Sequence, residues 1–513
     1  MFTGTQAAEM LASALEAHRR ARRDEALEQL SGCEEWPEAE KEQGLLLRAQ
    51  VLTFRDPILG LQELAAHSDA FSSTRGKFGY FIASARAYTN SRNVDGAQEM
   101  LESAASLLSG PEDPLASELA LHRMRLLWSS KHYAPHDDGF ALAMRAEDPA
   151  IRFSAKVVRA WMHAGLEEYR EQLHELAGAL DMVEQYGYRC DLTMVSVALH
   201  ALLELAFELG ERDAVAKAEA IYEAMEWTAD LQIYHFLCVR ALAWQAFLEG
   251  DSARAQWLFK DSKQLAPTVA WKVMAHVDRA YVARMNGNEA WATEELYQAH
   301  NLARTVQWGA TIGEERIALI SLAVLFAHTD MAQAQRYVST YIRFGTEGID
   351  PTLGASHQRR TQALEKYASG RVQAVLGNRA LAVKNLEAAY QIFSQIQHEF
   401  RAALAADALF ELTRDDAWKR MAQAHALAFP NSALSRHVQQ PSEASQTPAL
   451  SMLSPVQRQI ALAICDGCSI EELSRRFSRS EFTLKQQIKA IYDAVGVTGS
   501  LGLRRALARS ETP

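Results

Sequence analysis

The stretch SGRVQAVLGNRALAVKNLEAAYQIF, Ser369 to Phe393, decides the fold. Its small residues Gly370, Gly377, Ala382 and Ala389 are spaced by seven, five and seven positions, and apolar residues recur between them at intervals of three and four. Gly377 and Asn378 interrupt the helical period, so the stretch reads as two helices joined by a tight reversal. Gly provides the backbone freedom for the turn, and the small residues let the two helices approach closely. Gly250, Ala255, Ser262 and Pro267 follow the same frame, as do Gly287, Ala292 and Ala299. Weaker copies start at Gly210, at Thr329 with Ala334, at Arg92 with Ala97 and Ala104, and at Ala21 with Ala26. The starts Gly210, Gly250, Gly287, Thr329 and Gly377 lie 40, 37, 42 and 48 residues apart. Alternating strand patterns are scarce before residue 430, so this part reads as a helical-hairpin array.

At these offsets residues 190–395, and less closely 1–190, resemble tetratricopeptide repeats, although the spacing exceeds that family's usual length of about 34 residues. The resemblance implies a solenoid with a concave face lined by the first helix of each hairpin, suited to binding rather than chemistry. Carried onto this chain, the inward positions are His200, Glu204, Arg240, Trp244, Tyr281, Arg284, Arg316, Tyr367 and Arg371. Arg forks carboxylates or phosphates and aromatic faces stack on flat groups, so the set suits a small polar effector or a peptide partner. Among them Trp244 and Tyr281 are the chosen pocket aromatics. The alternative for each aromatic is inter-repeat core, and for each Arg a solvated face.

From Pro430 to Ser451 (PNSALSRHVQQPSEASQTPALS) Ser, Gln and Pro replace the periodic apolar residues, which predicts a flexible linker over 430–451. Beyond it the charge changes. Residues 450–513 hold nine basic and six acidic residues, a local +3, whereas the whole chain carries −11 and the remainder therefore −14. Ser454, Ser469 and Ser480 cap three expected helices reaching about Cys465, Phe477 and Val495. A short helix, a turn and a longer helix carrying Lys485, Gln486 and Lys489 make a helix-turn-helix.

Leu453-Ser454-Pro455, Arg458, Gly467, Ser469, Glu472, Ser480-Glu481, Thr483, Lys485, Ile488, Ile491-Tyr492 and Gly496-Val497 stand in an order and spacing that resemble the LuxR/GerE-type DNA-binding domain. The match covers about 60 residues. It implies a four-helix module at 452–513 that binds double-stranded promoter DNA as a homodimer through its last helix, around Leu501 to Ala508. Lys485, Gln486 and Lys489 would then face bases, while Ser469, Arg475, Arg476, Arg479, Ser480 and Thr483 would meet the phosphate backbone. The chain departs from the family pattern at Gln457, Ile470-Glu471, Gln487 and Ser500; Glu471 would repel phosphate.

The array with this module is similar to MalT-like regulators without their ATPase, since no G-x-x-x-x-G-K-[ST] occurs. No nucleophile, base and orienter can be connected by spacing, so no enzyme is expected, and no cofactor or metal. The paired Cys465 and Cys468 lack the second pair that a zinc tetrahedron needs. Five cysteines and no apolar run long enough to cross a bilayer predict a cytoplasmic chain without membrane contact. The expected organisation is a repeat sensor at 1–429, the linker, and the module at 452–513. The expected function is transcription regulation by effector-controlled DNA binding. The alternative is a protein-interaction scaffold whose C-terminal helices only self-associate.

Overall fold

The structure, a computed structural model, describes residues 2–135, 138–187, 190–311, 313–327, 329–344, 355–439, 453–465, 468–477, 479–495, 497, 499, 500 and 503. Among the described residues there is no strand, and the chain is an all-α helical-hairpin repeat array. It falls into two compact units, one mainly Met1–Gln245 and the other mainly Thr268–Ile349 with Arg359–Pro513.

The first unit stacks α1 (Gly4–Arg19), α2 (Arg23–Gln29), α3 (Glu38–Arg55), α4 (Pro57–Ala66), α5 (Thr74–Asn90), α6 (Val94–Ala105), α7 (Ala116–Ser129), α8 (Asp138–Ala143), α9 (Pro149–Gly165), α10 (Tyr169–Tyr186), α11 (Leu192–Leu209) and α12 (Asp213–Ala224). The chain then runs through α13 (Gln232–Glu249) and α14 (Ser252–Leu265), which contribute to both units. The second unit continues with α15 (Val269–Met285), α16 (Glu289–Ala303), α17 (Gly313–Phe326), α18 (Met331–Phe344), α19 (Ala355–Val375), α20 (Arg379–Gln395), α21 (Glu399–Thr413), α22 (Asp416–Ala426) and α23 (Ala433–Gln439). It ends in α24 (Pro455–Cys465), α25 (Ile470–Phe477) and α26 (Glu481–Val495).

The small-residue frame is the packing code. Ala26, Ala97, Ala104, Ala255, Ser262, Ala292, Ala299, Ala334, Ala382 and Ala389 are all 0% exposed. Gly370 on α19 faces Leu386 on α20 so closely that an added Cβ would stand 2.6 Å from the Leu386 Cγ. Gly377 turns the chain between these helices at φ +83°, a left-handed conformation that a side chain disfavours. Gly210, Gly250 and Gly287 turn their hairpins in the same way, and Ala21 and Arg92 do so without glycine.

The division into compact units falls inside the array, and α24–α26 group with the second unit. A physical link is visible: Val375, the last residue of α19, packs against the core formed by Leu453, Ile460, Leu473, Leu484 and Ile491. The expected linker is also ordered at its start. Residues 433–439 form α23, with Leu434 and Val438 buried one turn apart, and the Gln423 amide donates to the Val438 carbonyl at 3.2 Å. Residues 440–452 lie outside the described residues, as does most of the expected fourth helix of the C-terminal module. By length and composition α11 is apolar enough to cross a membrane, and most of it is buried among neighbouring helices.

Candidate functional site

The first helices α15, α17, α19 and α21 of the second unit surround a cavity of about 250 Å³, closed on one side by α23. Positions three and four apart share a helix face. Thus α15 presents Tyr281, Arg284 and Met285, α19 presents Tyr367 and Arg371, and α21 presents Leu404, Asp407 and Glu411. Leu325 of α17 and Leu434 and His437 of α23 complete the wall.

The polar groups are organised in opposed pairs. The Arg371 guanidinium donates to Glu411 Oε2 at 2.9 Å, and His437 Nε2 lies 3.1 Å from Asp407 Oδ2. Arg284 donates to the Leu325 carbonyl at 2.9 Å and sits 3.6 Å from Glu289. Burial opposes the charge on Arg371, but Glu411, Tyr367 and Asp407 outweigh it and raise its pKa. For Arg284 burial wins and lowers the pKa. Burial also raises the phenol pKa of Tyr281 and Tyr367, so both remain protonated donors at neutral pH. The cavity therefore offers phenolic donors, a guanidinium and a carboxylate to one ligand.

Asp407, Glu411 and His437 have ligand atoms all within 4.8 Å of one another and are the residues here that could hold a cation. Arg371 already neutralises Glu411, and hydrogen bonding to Asp407 raises the His437 pKa, favouring the protonated ring. Both features oppose a metal ion.

Of the nine inward residues expected from the repeat resemblance, Tyr281, Arg284, Tyr367 and Arg371 meet in this cavity. Trp244 is corrected: it is 6% exposed, stacked on Phe207 at 6.0 Å and edge-on to Phe259 at 5.5 Å, and so belongs to the core. Arg316 is also corrected. At 1% exposure its guanidinium is consumed by the carbonyls of Trp308, Thr311 and Phe344. His200 and Glu204 lie 3.4 Å apart on α11 in the first unit, and Arg240 lies on α13, so none of them joins the cavity. Asp407, Glu411 and His437 escape the sequence reading. The i,i+4 spacing of the two acids is the signal that points to a shared face.

The C-terminal helices start where expected. Ser454 and Gln457 form a reciprocal cap, with Ser454 N donating to Gln457 Oε1 at 2.9 Å and Gln457 N to Ser454 Oγ at 3.2 Å. Gln457, a departure from the family pattern, thereby fills the capping role. Ser469 and Glu472 repeat the arrangement, and Thr483 N donates to Ser480 Oγ at 3.2 Å. On α26 Leu484 and Ile491 point into the core, while Phe482, Lys485, Gln486 and Lys489 are exposed. Ser469, Arg475, Arg476, Ser480 and Thr483 are exposed too, whereas Arg479 is half-buried. Lys485 lies 3.7 Å from Glu481 on the same helix face. Phe482, 70% exposed, is an apolar member of this surface that the sequence reading passes over.

No protein-family model matches the sequence, and no curated protein matches it. Among solved structures, a Rap protein complexed with competence and sporulation factor is similar over 69% of this chain and 100% of its own length, with 12% identity and a TM-score of 0.39.

Proposed function

We propose that the protein is a DNA-binding transcriptional regulator in which the cavity of the second unit senses a small zwitterionic ligand or a peptide end and controls the C-terminal helix-turn-helix. The observation that carries this reading is on α19. Arg371 lines the cavity, and Val375, four residues on and one turn away, packs against the core of α24–α26. A ligand carboxylate that draws Arg371 from Glu411, or a ligand amine that takes Glu411, acts on the helix that supports the DNA-reading module. A wall of the cavity, α23, also precedes the segment leading to α24. Ligand binding then shifts the population between arrangements of the module.

On the DNA side, Lys485, Gln486 and Lys489 form the base-reading face and Arg475, Arg476, Ser469, Ser480 and Thr483 the phosphate contacts. Lys donates to guanine O6 and N7 and Gln pairs with adenine. The test is retention of genomic duplex fragments by the full chain across a salt series, with sequencing of the retained DNA. Enrichment of a two-fold sequence that steepens at low salt and disappears in Lys485→Ala with Lys489→Ala is expected. Equal retention of all sequences, unchanged in the double variant, overturns it. The second reading, a protein-interaction scaffold, is favoured by the same Val375 contact, which ties the C-terminal helices to the array as packing; absence of DNA binding selects it.

A further inference from the structure

The exposed face of α26 carries one residue that charge does not account for. Phe482 is 70% exposed, the most exposed aromatic side chain among the described residues, ahead of Trp257 at 65% and Tyr297 at 62%. It is the second residue of α26, just after the Ser480 cap, whose Oγ accepts from Thr483 N at 3.2 Å. The opposite side of the helix is anchored. Leu484 and Ile491 are 0% exposed in the core of α24–α26, and Ile488 packs against that core. The helix register therefore aims Phe482 away from it.

Phe482, Lys485, Gln486 and Lys489 stand at i, i+3, i+4 and i+7, one stripe along α26, and all four are exposed. Arg475 and Arg476 of α25 are exposed too. Glu481, the acid beside Phe482, sits 3.7 Å from Lys485, which offsets its charge. An exposed ring gains by leaving water, yet the lysines that share its stripe oppose a protein partner, because the cores of protein interfaces are depleted in Lys. The DNA major groove removes that conflict. Its walls are phosphates, which attract the lysines, and its floor carries one apolar group, the thymine 5-methyl.

We propose that Phe482 reads a thymine methyl in the major groove, as a specificity contact beside Lys485, Gln486 and Lys489. The proposal rests on the reading of this module as DNA-binding. Phe482 stands outside the residues that carry the family resemblance, so the contact is read from exposure and register. A helical rise of about 1.5 Å per residue puts Phe482 about 4.5 Å from Lys485 along the axis and about 10 Å from Lys489. With the helix along the groove and base pairs about 3.4 Å apart, the thymine lies about one or two base pairs from the base that Lys485 meets, on the side away from Lys489.

The experiment uses the full chain in two steps. Genomic duplex fragments retained by the wild-type protein are sequenced, and a synthetic duplex of the enriched sequence is made with thymidine or with deoxyuridine, which lacks only the methyl, at the assigned position. Wild-type binding is expected to weaken about three- to tenfold with deoxyuridine, the effect of losing one buried methyl. Phe482→Ala is expected to bind both duplexes alike, to drop the thymine from its own enriched sequence, and to keep the wild-type salt dependence, since no phosphate contact is removed. Phe482→Leu, which keeps an apolar contact, retains part of the discrimination. A wild-type sequence without thymine at that position, or discrimination against deoxyuridine that survives Phe482→Ala, overturns the methyl contact and leaves the DNA-binding reading standing. No enrichment by the wild-type protein overturns both.

Discussion

The two units use the same repeat register for opposite electrostatic ends. In the second unit each cation at the cavity meets an acid: Arg371 has Glu411, His437 has Asp407 and Arg284 has Glu289. In the first, Arg86 and Arg125 have no carboxylate at ion-pair distance among the described residues, and Asp191 acts on both from farther away. A repeat array fixes where a side chain stands, and the neighbouring helix decides whether its charge is cancelled. The paired face suits a ligand that exchanges one internal partner for another.

The comparison breaks most visibly where pairing is buried. Between α15 and α16, Glu295 lies within 2.6 Å of His276 Nδ1 and 2.8 Å of Arg279, and accepts from Trp291 Nε1 at 3.1 Å. Burial alone would raise its pKa; the His276 hydrogen bond and the Arg279 charge overcome this and hold the carboxyl below the usual range. Glu295→Ala strands two basic groups and should cost about 3–5 kcal/mol, read from urea unfolding. A loss below about 1 kcal/mol would mean that these charges are solvated in the folded protein.

Single arginines should then respond with opposite signs. Arg371→Gln removes a paired cation and lowers stability by about 1 kcal/mol. Arg125→Gln removes one without an ion pair among the described residues and leaves stability unchanged or raises it by about 0.5 kcal/mol, because no hydrogen-bonded partner is abandoned and a half-buried charge is relieved. Chemical unfolding of the two variants in phosphate-free buffer tests the pair. A loss for Arg125→Gln equal to that for Arg371→Gln would erase the distinction between the faces.

The reach of the sequence follows from the same chemistry. Gly377 and the fully buried Ala positions are visible because a left-handed turn and a close helix contact each restrict residue type. Lys131, Glu167 and Arg414 turn their hairpins with φ from 62° to 64° but carry long polar side chains, so the hairpins they close leave no such mark. Asp407 and Glu411 precede Arg414 and are hidden with it. The α23 helix has only Leu434 and Val438 as an apolar stripe, within a Ser- and Gln-rich run. Trp244 stands six residues before Gly250, in the register of Tyr281, yet packs between Phe207 and Phe259; register gives the position along the helix, while aromatic neighbours decide the direction.

The smallest effect concerns the wall of the paired cavity. His437 faces Asp407 and Glu411 of α21 and Arg371 of α19; the Asp407 hydrogen bond, opposed by burial and helped by the two acids, raises its pKa above the ordinary 6.5. A raised folded value means that the contact contributes fully below about 6.5 and is lost as pH rises through the shifted value. Because the ring is half exposed, solvent screening keeps the contribution small. Between pH 6 and 9 the α23 amides should therefore lose about two- to threefold in hydrogen-exchange protection, after correction for the intrinsic rate, while α20 amides hold theirs. Asp407→Asn should flatten the profile by removing the charge that favours the imidazolium. Protection that rises with pH, or a slope surviving Asp407→Asn, would show that α23 is held by Leu434 and Val438 alone and that the charge pairing at this wall orients the ring without securing the helix.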